Sequence, residues 1–279
     1  MNKKLIYGIV ISIAGIIMLF LILLVPVLLI LNFFDTTTTT DGYITENIEY
    51  ADKYRTVVNE YIKQEKGYVS LERILYFYQS NNSLTFKEIY EDNLDKESKK
   101  MIPISEVCKI EKYKELNVCS TDELDKSNQI KEYQGKPFAK PINFSSIKSI
   151  SSFFMEERIT FGEKENHNGW DFAAPALTPV YATCDGIATK VSFPFKANTQ
   201  KIGSNGNEIV IKCDSSNYIV TYAHLYPNSN KIKQGDVVSK GQNIAGVGTT
   251  GNSTGNHLHY QVSLNNKLLD GMSLVDFST

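Results

Sequence analysis

Histidine and tryptophan are scarce in this chain, and basic residues are not in excess. The 279 residues include four histidines and one tryptophan, and 29 lysines and arginines against 31 acidic residues give a formal net charge of −2. Proteins that bind nucleic acid ordinarily carry a clustered excess of basic side chains. The charge balance therefore argues against a nucleic-acid partner.

Cysteine is also sparse, with one residue at each of Cys108, Cys119, Cys184 and Cys213. None of them lies in a C-x-x-C pair, which argues against a cysteine-based zinc site. An even number of cysteines permits disulfides outside the cytoplasm, and four cysteines allow three pairings. We expect Cys108 to pair with its neighbour Cys119, and Cys184 to join Cys213 across two predicted strands. Four free buried thiols are the alternative.

Charged residues are absent from residues 5–34, which form one long apolar run. At about 1.5 Å per residue this run exceeds a hydrocarbon core of roughly 30 Å, and it predicts a transmembrane anchor. Two lysines in residues 1–4 place the N-terminus in the cytoplasm, and Asp35 follows on the far side. A cleavable signal peptide is the competing interpretation, but its apolar region is usually only about 7–15 residues long and ends at a small-residue cleavage site.

The next part of the chain predicts a spacer and then helices. Residues 35–44 are polar and rich in threonine, which indicates a short extended spacer. From residue 45 to 133 apolar residues recur at helical spacing, which predicts a small helical domain of unknown role. Ser70 has the position of an N-cap, and TFKE at 85–88 has the form of a capping box. An alternative is that this domain is a lytic transglycosylase, an enzyme that needs a catalytic glutamate held in a cleft. The candidate, Glu97, lies in the charged stretch KESKK, which argues against this role.

The pattern changes again after a proline-containing stretch. Residues 134–149 include two prolines and predict a linker. Residues 150–279 consist of short β-rich runs separated by Gly, Asn and Asp, which predict a compact, mainly antiparallel β domain. The expected fold class is therefore α+β, with a transmembrane helix, a small helical domain and a β domain in that order.

All four histidines fall in the predicted β domain. His257 and His259 alternate in the run HLHYQV, so in a strand both project to one side, about 7 Å apart. His167 and Asp171 lie four residues apart in HNGWD and would share one face of a helix. Gly169 and the nearby Pro175 indicate instead a loop that turns both toward one ion. A single histidine is most often an ordinary surface or core residue, but imidazole and carboxylate together suit Zn²⁺.

Several motifs of this domain stand in the order found in one enzyme family. The stretches HNGWDFAAP, TPVYATCDGIA, TYAHL and KQGDVVSKGQNIAGVGTTGNSTGNHLHYQV resemble the lysostaphin/LytM-type zinc endopeptidases of bacterial cell walls. The resemblance covers roughly residues 150–274 and implies a LytM-like (duplicated hybrid motif) peptidase domain at 150–279. It also implies one Zn²⁺ per chain and the roles of five residues: His167, Asp171 and His259 as metal ligands, and His224 and His257 as catalytic histidines.

The resemblance implies a membrane-anchored, extracytoplasmic endopeptidase that cuts peptide stems or cross-bridges of peptidoglycan. The alternative is a non-catalytic LytM-like scaffold or activator of other wall hydrolases, a class that loses one or more of the five residues. A combined role, as the wall-opening component of a secretion or conjugation apparatus, is a further expectation. The lead-in SSFFMEERITFGEKENHNG departs from the family pattern, with Phe154 where glycine is common, and this leaves the substrate preference open. Trp170 either packs against the metal loop or contacts substrate.

Overall fold

The structure is a computed structural model that describes residues 48–120, 138–160, 163–214 and 217–278. These described residues belong to one compact unit. The predicted anchor at 5–34 and its flanking segments lie outside the described residues. Within the described ranges, no helix has both the length and the apolar character needed to cross a membrane.

The N-terminal part of the described chain is helical, as the sequence predicts. Its helices are α1 (Ile48–Lys63), α2 (Leu71–Tyr78), α3 (Phe86–Asp92) and α4 (Ile104–Val107), followed by a 3₁₀ turn at Asn117–Cys119.

Both predicted helix starts are confirmed. The Ser70 side chain accepts the N–H of Arg73 at 3.3 Å, and Thr85 and Glu88 form a reciprocal capping box. The predicted disulfide between Cys108 and Cys119 is also present, with Cα atoms 5.4 Å apart.

The remaining described residues form twelve short strands. They are β1 (Ser149–Ser152), β2 (Glu157–Thr160), β3 (Glu163–Asn166), β4 (Trp170–Ala173), β5 (Pro179–Tyr181), β6 (Gly186–Ser192), β7 (Glu208–Cys213), β8 (Tyr218–Ala223), β9 (Val237–Val238), β10 (Asn243–Gly246), β11 (His257–Leu264) and β12 (Lys267–Leu269). Further 3₁₀ turns occur at Phe144–Ser146 and Gly271–Leu274.

An eight-stranded sheet organises the β domain. Its strand order is β1-β4-β11-β8-β7-β6-β9, with β12 paired to β11, and its pairs are antiparallel. Two-stranded sheets join β5 to β10 and β2 to β3. The predicted mainly antiparallel β domain is therefore confirmed. The expectation of a loop at Asp171 is wrong, because Asp171 lies within β4 and pairs with neighbours on both sides.

The second predicted disulfide joins the strands on which it was expected. Cys184 precedes β6 and Cys213 ends β7, and their Cα atoms are 5.8 Å apart. β6 and β7 are neighbouring antiparallel strands, with Gly186 opposite Cys213. The disulfide therefore adds a covalent link at one end of two strands that backbone hydrogen bonds already pair.

The described part of the predicted linker packs against the β domain. Phe138 pairs with Val275, and Ile142 pairs with Val180. Phe144 is fully buried against Phe172, with ring centroids 5.7 Å apart. Apolar side chains in this stretch thus contribute to the core.

Candidate metal centre and active site

Two neighbouring strands, β4 and β11, place acidic and imidazole side chains side by side. His259 lies directly opposite Asp171, and Leu258 lies opposite Phe172. Directly paired residues share a face of the sheet, whereas successive residues alternate faces. Leu258 is fully buried in the core, which confirms the predicted alternation. His257, His259 and Asp171 therefore share the opposite face.

His167 reaches the same point from the segment between β3 and β4. Its Nδ1–H donates to the carbonyl oxygen of Phe153 at 3.1 Å, because a carbonyl can only accept. The neutral ring is then left with a lone pair on Nε2. This Nε2 lies 3.1 Å from Oδ1 of Asp171 and 3.1 Å from Nδ1 of His259.

Three ligand atoms therefore converge. His259 Nδ1 lies 2.8 Å from Asp171 Oδ1, which closes a triangle with His167 Nε2, and all three residues are buried. A deprotonated Nε2 facing a carboxylate oxygen at this distance is repulsive unless a cation or proton lies between them. Two imidazole nitrogens and one carboxylate oxygen are a donor set typical of zinc. The residues fit a metal ion.

The charges around Asp171 favour the protonation states that a metal needs. Burial alone would raise the pKa of the Asp171 carboxyl, but the surrounding imidazoles of His167, His259 and His257 favour its ionised form and hold that pKa well below its usual value. Its second oxygen, Oδ2, accepts a hydrogen bond from Arg158 Nη1 at 2.8 Å. Burial lowers the pKa of His167 despite the nearby carboxylate. A carboxylate and a neutral imidazole are the forms that bind metal.

The glycine of HNGWD is required by a close approach. A Cβ atom built on Gly169 would lie 2.9 Å from Cε1 of His259 and 2.5 Å from the carbonyl oxygen of Tyr260. Trp170, the next residue, is 1% exposed and donates Nε1–H to Asp270 Oδ1 at 2.9 Å. Trp170 therefore packs inside the protein, in agreement with the first of the two interpretations of this residue.

The other two histidines form a pair beside the cluster. His224 follows β8 with a left-handed backbone conformation (φ +58°), and its ring lies 4.7 Å from that of His257 between centroids. Its Nδ1–H donates to Thr250 O at 2.7 Å, which leaves Nε2 as an acceptor. Burial, together with the charges of His257 and His259, lowers the pKa of His224 to about 3. His224 is therefore neutral near neutral pH.

His257 is the more accessible member of this pair. Its side chain is 14% exposed, and its Nε2 lies 3.7 Å from Oδ1 of Asp171. Its Nδ1 lies 2.8 Å from the carbonyl oxygen of Gly255. The structure thus brings together all five residues singled out in the sequence, as a buried triad and an adjacent pair.

Sequence reasoning missed Arg158 and Thr250. Arg158 joins Asp171 to Glu165, because its Nε also donates to Glu165 Oε1 at 2.9 Å. A lone arginine in the acidic run MEER was the available signal. Thr250 contributes only its backbone carbonyl to His224, and backbone contacts leave no signal in residue type.

A buried His-Asp-His triad beside two further histidines, carried by an antiparallel β domain, is an arrangement suited to hydrolysis at a single metal ion. Residues 165–271 match Peptidase family M23. This match to the C-terminal part of the chain confirms the resemblance to lysostaphin and LytM-type peptidases.

Similar proteins include two from Vibrio cholerae. The peptidoglycan DD-endopeptidase ShyC is 35% identical over 127 residues, which cover 45% of this chain and 26% of ShyC. The peptidoglycan DD-endopeptidase ShyB is 41% identical over 130 residues, covering 46% of this chain and 28% of ShyB. The chain therefore spans little more than a quarter of the length of these curated relatives.

Two solved structures are also similar to this chain. A zinc-containing peptidase from Vibrio cholerae is 35% identical, covers 49% of this chain and 39% of its own, and has a TM-score of 0.41. The catalytic domain of lysostaphin from Staphylococcus simulans is 26% identical, covers 44% of this chain and 89% of its own, and has a TM-score of 0.38.

Proposed function

We propose that the protein is a zinc metalloendopeptidase that hydrolyses peptide bonds in the stems or cross-bridges of peptidoglycan. The observation that carries the proposal is the convergence of three buried ligand atoms from His167, Asp171 and His259 within 3.1 Å of one another. The names of ShyC and ShyB support the substrate class. His167 Nε2, Asp171 Oδ1 and His259 Nδ1 would hold the metal.

The histidine pair is suited to moving protons. A bound zinc ion supplies Lewis acidity, which polarises a carbonyl group and lowers the pKa of water to about 7. His224 presents the lone pair of Nε2, because its Nδ1–H is committed to Thr250. His257 is held in the same way by Gly255. The pair can accept a proton from the attacking water, deliver it to the leaving amine and, while protonated, stabilise the oxyanion.

A non-catalytic scaffold or activator is the alternative function. Such a protein needs the domain surface but has no use for five converging polar side chains. Here a buried carboxylate, two buried imidazoles and a fixed histidine pair are all retained. Burying such groups is costly unless they are paired or bind a metal. The catalytic proposal accounts for all five residues, and the scaffold proposal accounts for none of them.

We further propose that residues 5–34 anchor the protein in the bacterial membrane, with residues 35–279 outside the cytoplasm. The charge distribution of the first 35 residues supports this orientation. The two disulfides support an oxidising compartment. An enzyme in this location could open the wall locally for an envelope secretion or conjugation apparatus.

The proposed function can be tested with the full-length chain and defined peptidoglycans. After incubation with Zn²⁺, fragments are identified by mass spectrometry, which also names the bond that is cut. We expect new amine termini from peptide cleavage, their loss on chelation of the metal, and none from Asp171→Ala. Intact peptidoglycan after incubation with zinc-loaded, folded protein would refute the catalytic proposal and favour the scaffold.

A further inference from the structure

Helix α1 lies against the edge of the sheet that leads into the metal centre. Asn59 in α1 accepts the N–H of Ile150 on Oδ1 at 2.6 Å and donates Nδ2–H to the Ile150 carbonyl at 3.4 Å. Tyr54 packs edge-on against Phe153, with ring centroids 5.1 Å apart. Residues 48–120, here called the helical segment, thus contact β1 and the turn that follows it, residues 153–156.

An ion pair crosses this contact. Arg55 in α1 donates Nη2–H to Oε1 of Glu156, whose side chain is only 7% exposed. The other oxygen, Oε2, accepts the Ser152 hydroxyl at 2.7 Å and the Phe153 N–H at 3.0 Å. Glu156, at the end of the 153–156 turn, is therefore hydrogen-bonded to the residues at which the turn begins.

The same turn determines the position of His167. Phe153 O accepts the ring Nδ1–H at 3.1 Å, Glu156 O accepts the backbone N–H at 2.8 Å, and the Met155 N–H donates to the backbone carbonyl at 2.7 Å. These contacts orient the ring and keep its proton on Nδ1, so that Nε2 faces Asp171. Met155 has φ +61°, a conformation that a non-glycine residue adopts rarely and keeps only where its surroundings hold it.

A second polar bridge runs from the helical segment to β4. The Tyr68 hydroxyl donates to Oδ2 of Asp270, and Asp270 Oδ1 accepts Nε1–H of Trp170 at 2.9 Å. The Tyr68 ring also meets Trp170 edge-on, with centroids 5.6 Å apart. Trp170 is the residue before Asp171. The helical segment therefore contacts two neighbours of the candidate ligands. One is Trp170, which precedes Asp171 in the chain, and the other is the 153–156 turn, which is hydrogen-bonded to His167.

We propose that Arg55 is a positioning residue for the metal centre, because through Glu156 it holds the 153–156 turn that orients His167. The proposal rests on the proposed function, since it takes His167 as a metal ligand. Loss of Arg55 leaves the buried Glu156 carboxylate without its cation, and an unpaired buried charge is strongly destabilising. The turn then relaxes, and the ring of His167 loses its fixed orientation. The helical segment is thus part of the support of the metal centre.

The experiment compares Zn²⁺ affinities of full-length variants by competition with a chromogenic chelator. The variants are Arg55→Ala, Arg55→Lys and Glu156→Gln. The matched control is Lys87→Ala, which removes an exposed ion pair with Glu60 (3.0 Å) inside the helical segment. Partners of metal ligands typically contribute about 10–100-fold to metal affinity. We expect Arg55→Ala to weaken Zn²⁺ binding about 10-fold or more, Arg55→Lys to restore part of the loss, and the control to match the parent.

The outcomes separate this proposal from the proposed function. A parent chain that does not bind Zn²⁺ would overturn the metal site itself. A parent that binds, with folded Arg55→Ala binding equally well, would overturn the positioning role alone. If Arg55→Ala fails to fold, Glu156→Gln decides, because it keeps the shape of the side chain and removes its charge: weaker binding supports the proposal, and parental binding overturns it. A double variant that carries both Arg55→Ala and Glu156→Gln provides the last test, and additive losses of Zn²⁺ affinity in it would refute action through Glu156.

Discussion

Replacing Gly169 with alanine should weaken metal binding, because the added Cβ atom would push against the side chain of His259 and the backbone of its strand. The added Cβ would lie 2.9 Å from Cε1 of His259, and ordinary contact begins at 3.4 Å, so the ring must recede by about 0.5 Å. The carbonyl oxygen of Tyr260 is closer still, at 2.5 Å, and belongs to the strand that carries His259. Neither backbone can move freely, because β4 and β11 are paired along this stretch.

The size of the effect follows from that displacement. A misplacement of about 1 Å at a functional site can reduce function by about 100-fold. Because the displacement of the His259 ring is about half of that, we expect Gly169→Ala to lower Zn²⁺ affinity by about 10-fold, or about 1.4 kcal/mol of binding free energy. The assay is chelator competition monitored alongside thermal unfolding of the metal-free protein. The effect should fall mainly on metal binding, because the clash is with a ligand side chain and its own strand.

A matched glycine nearby provides the control. A Cβ on Gly255 meets no atom within 4 Å, and its backbone is not in the left-handed region, so Gly255→Ala should bind Zn²⁺ like the parent. Parental Zn²⁺ affinity in folded Gly169→Ala would refute the argument that this glycine is required by His259.

Three further predictions follow from the site, the disulfides and the N-terminal sequence. His224→Ala and His257→Ala should retain Zn²⁺ by metal analysis yet lose peptidoglycan cleavage, since neither belongs to the buried triad; loss of metal from either would contradict the division. Replacing Cys184 and Cys213 with serine should lower the free energy of unfolding by about 3–4 kcal/mol for a 29-residue separation, measured by urea denaturation; an unchanged midpoint would contradict this. External protease on wall-stripped cells should remove residues 35–279, and their protection would reverse the proposed topology.

Local patterns in the sequence predict those features that depend on near neighbours. Ser70 and the Thr85–Glu88 pair cap their helices through contacts three residues away. The alternation of His257 and His259 about buried Leu258 follows from strand geometry alone.

Features that depend on distant partners were not predictable in the same way. The four residues of β4 look like a loop between Gly169 and Pro175, and they form a strand because β1 and β11 pair with them on both sides. Likewise, Arg55 pairs locally with Asp52, but its other partner, Glu156, lies 101 residues away. Such contacts depend on how the whole domain folds, and no short-range pattern encodes them.

The scarcity of arginine is a sequence signal that could have indicated residues close to the candidate metal centre. The chain contains three arginines, at positions 55, 73 and 158. Two of them contact acids at or next to the metal centre, Arg158 at Asp171 and Arg55 at Glu156. Arginine suits such positions because its planar group remains charged when partly buried. Where most basic residues are lysine, each arginine marks a place where a permanent charge is held in a defined geometry.

The order of events during folding is constrained by where the ligands lie along the chain. His167 and Asp171 are close in sequence, but His259 is 92 residues from His167 and 88 residues from Asp171. An unfolded chain therefore offers zinc two ligands at most from this set, and the third arrives only when β11 inserts between β4 and β8. Metal uptake at the proposed site would consequently be a late step in the folding of the domain. Zinc would then stabilise the completed sheet and would not take part in the first steps of its folding.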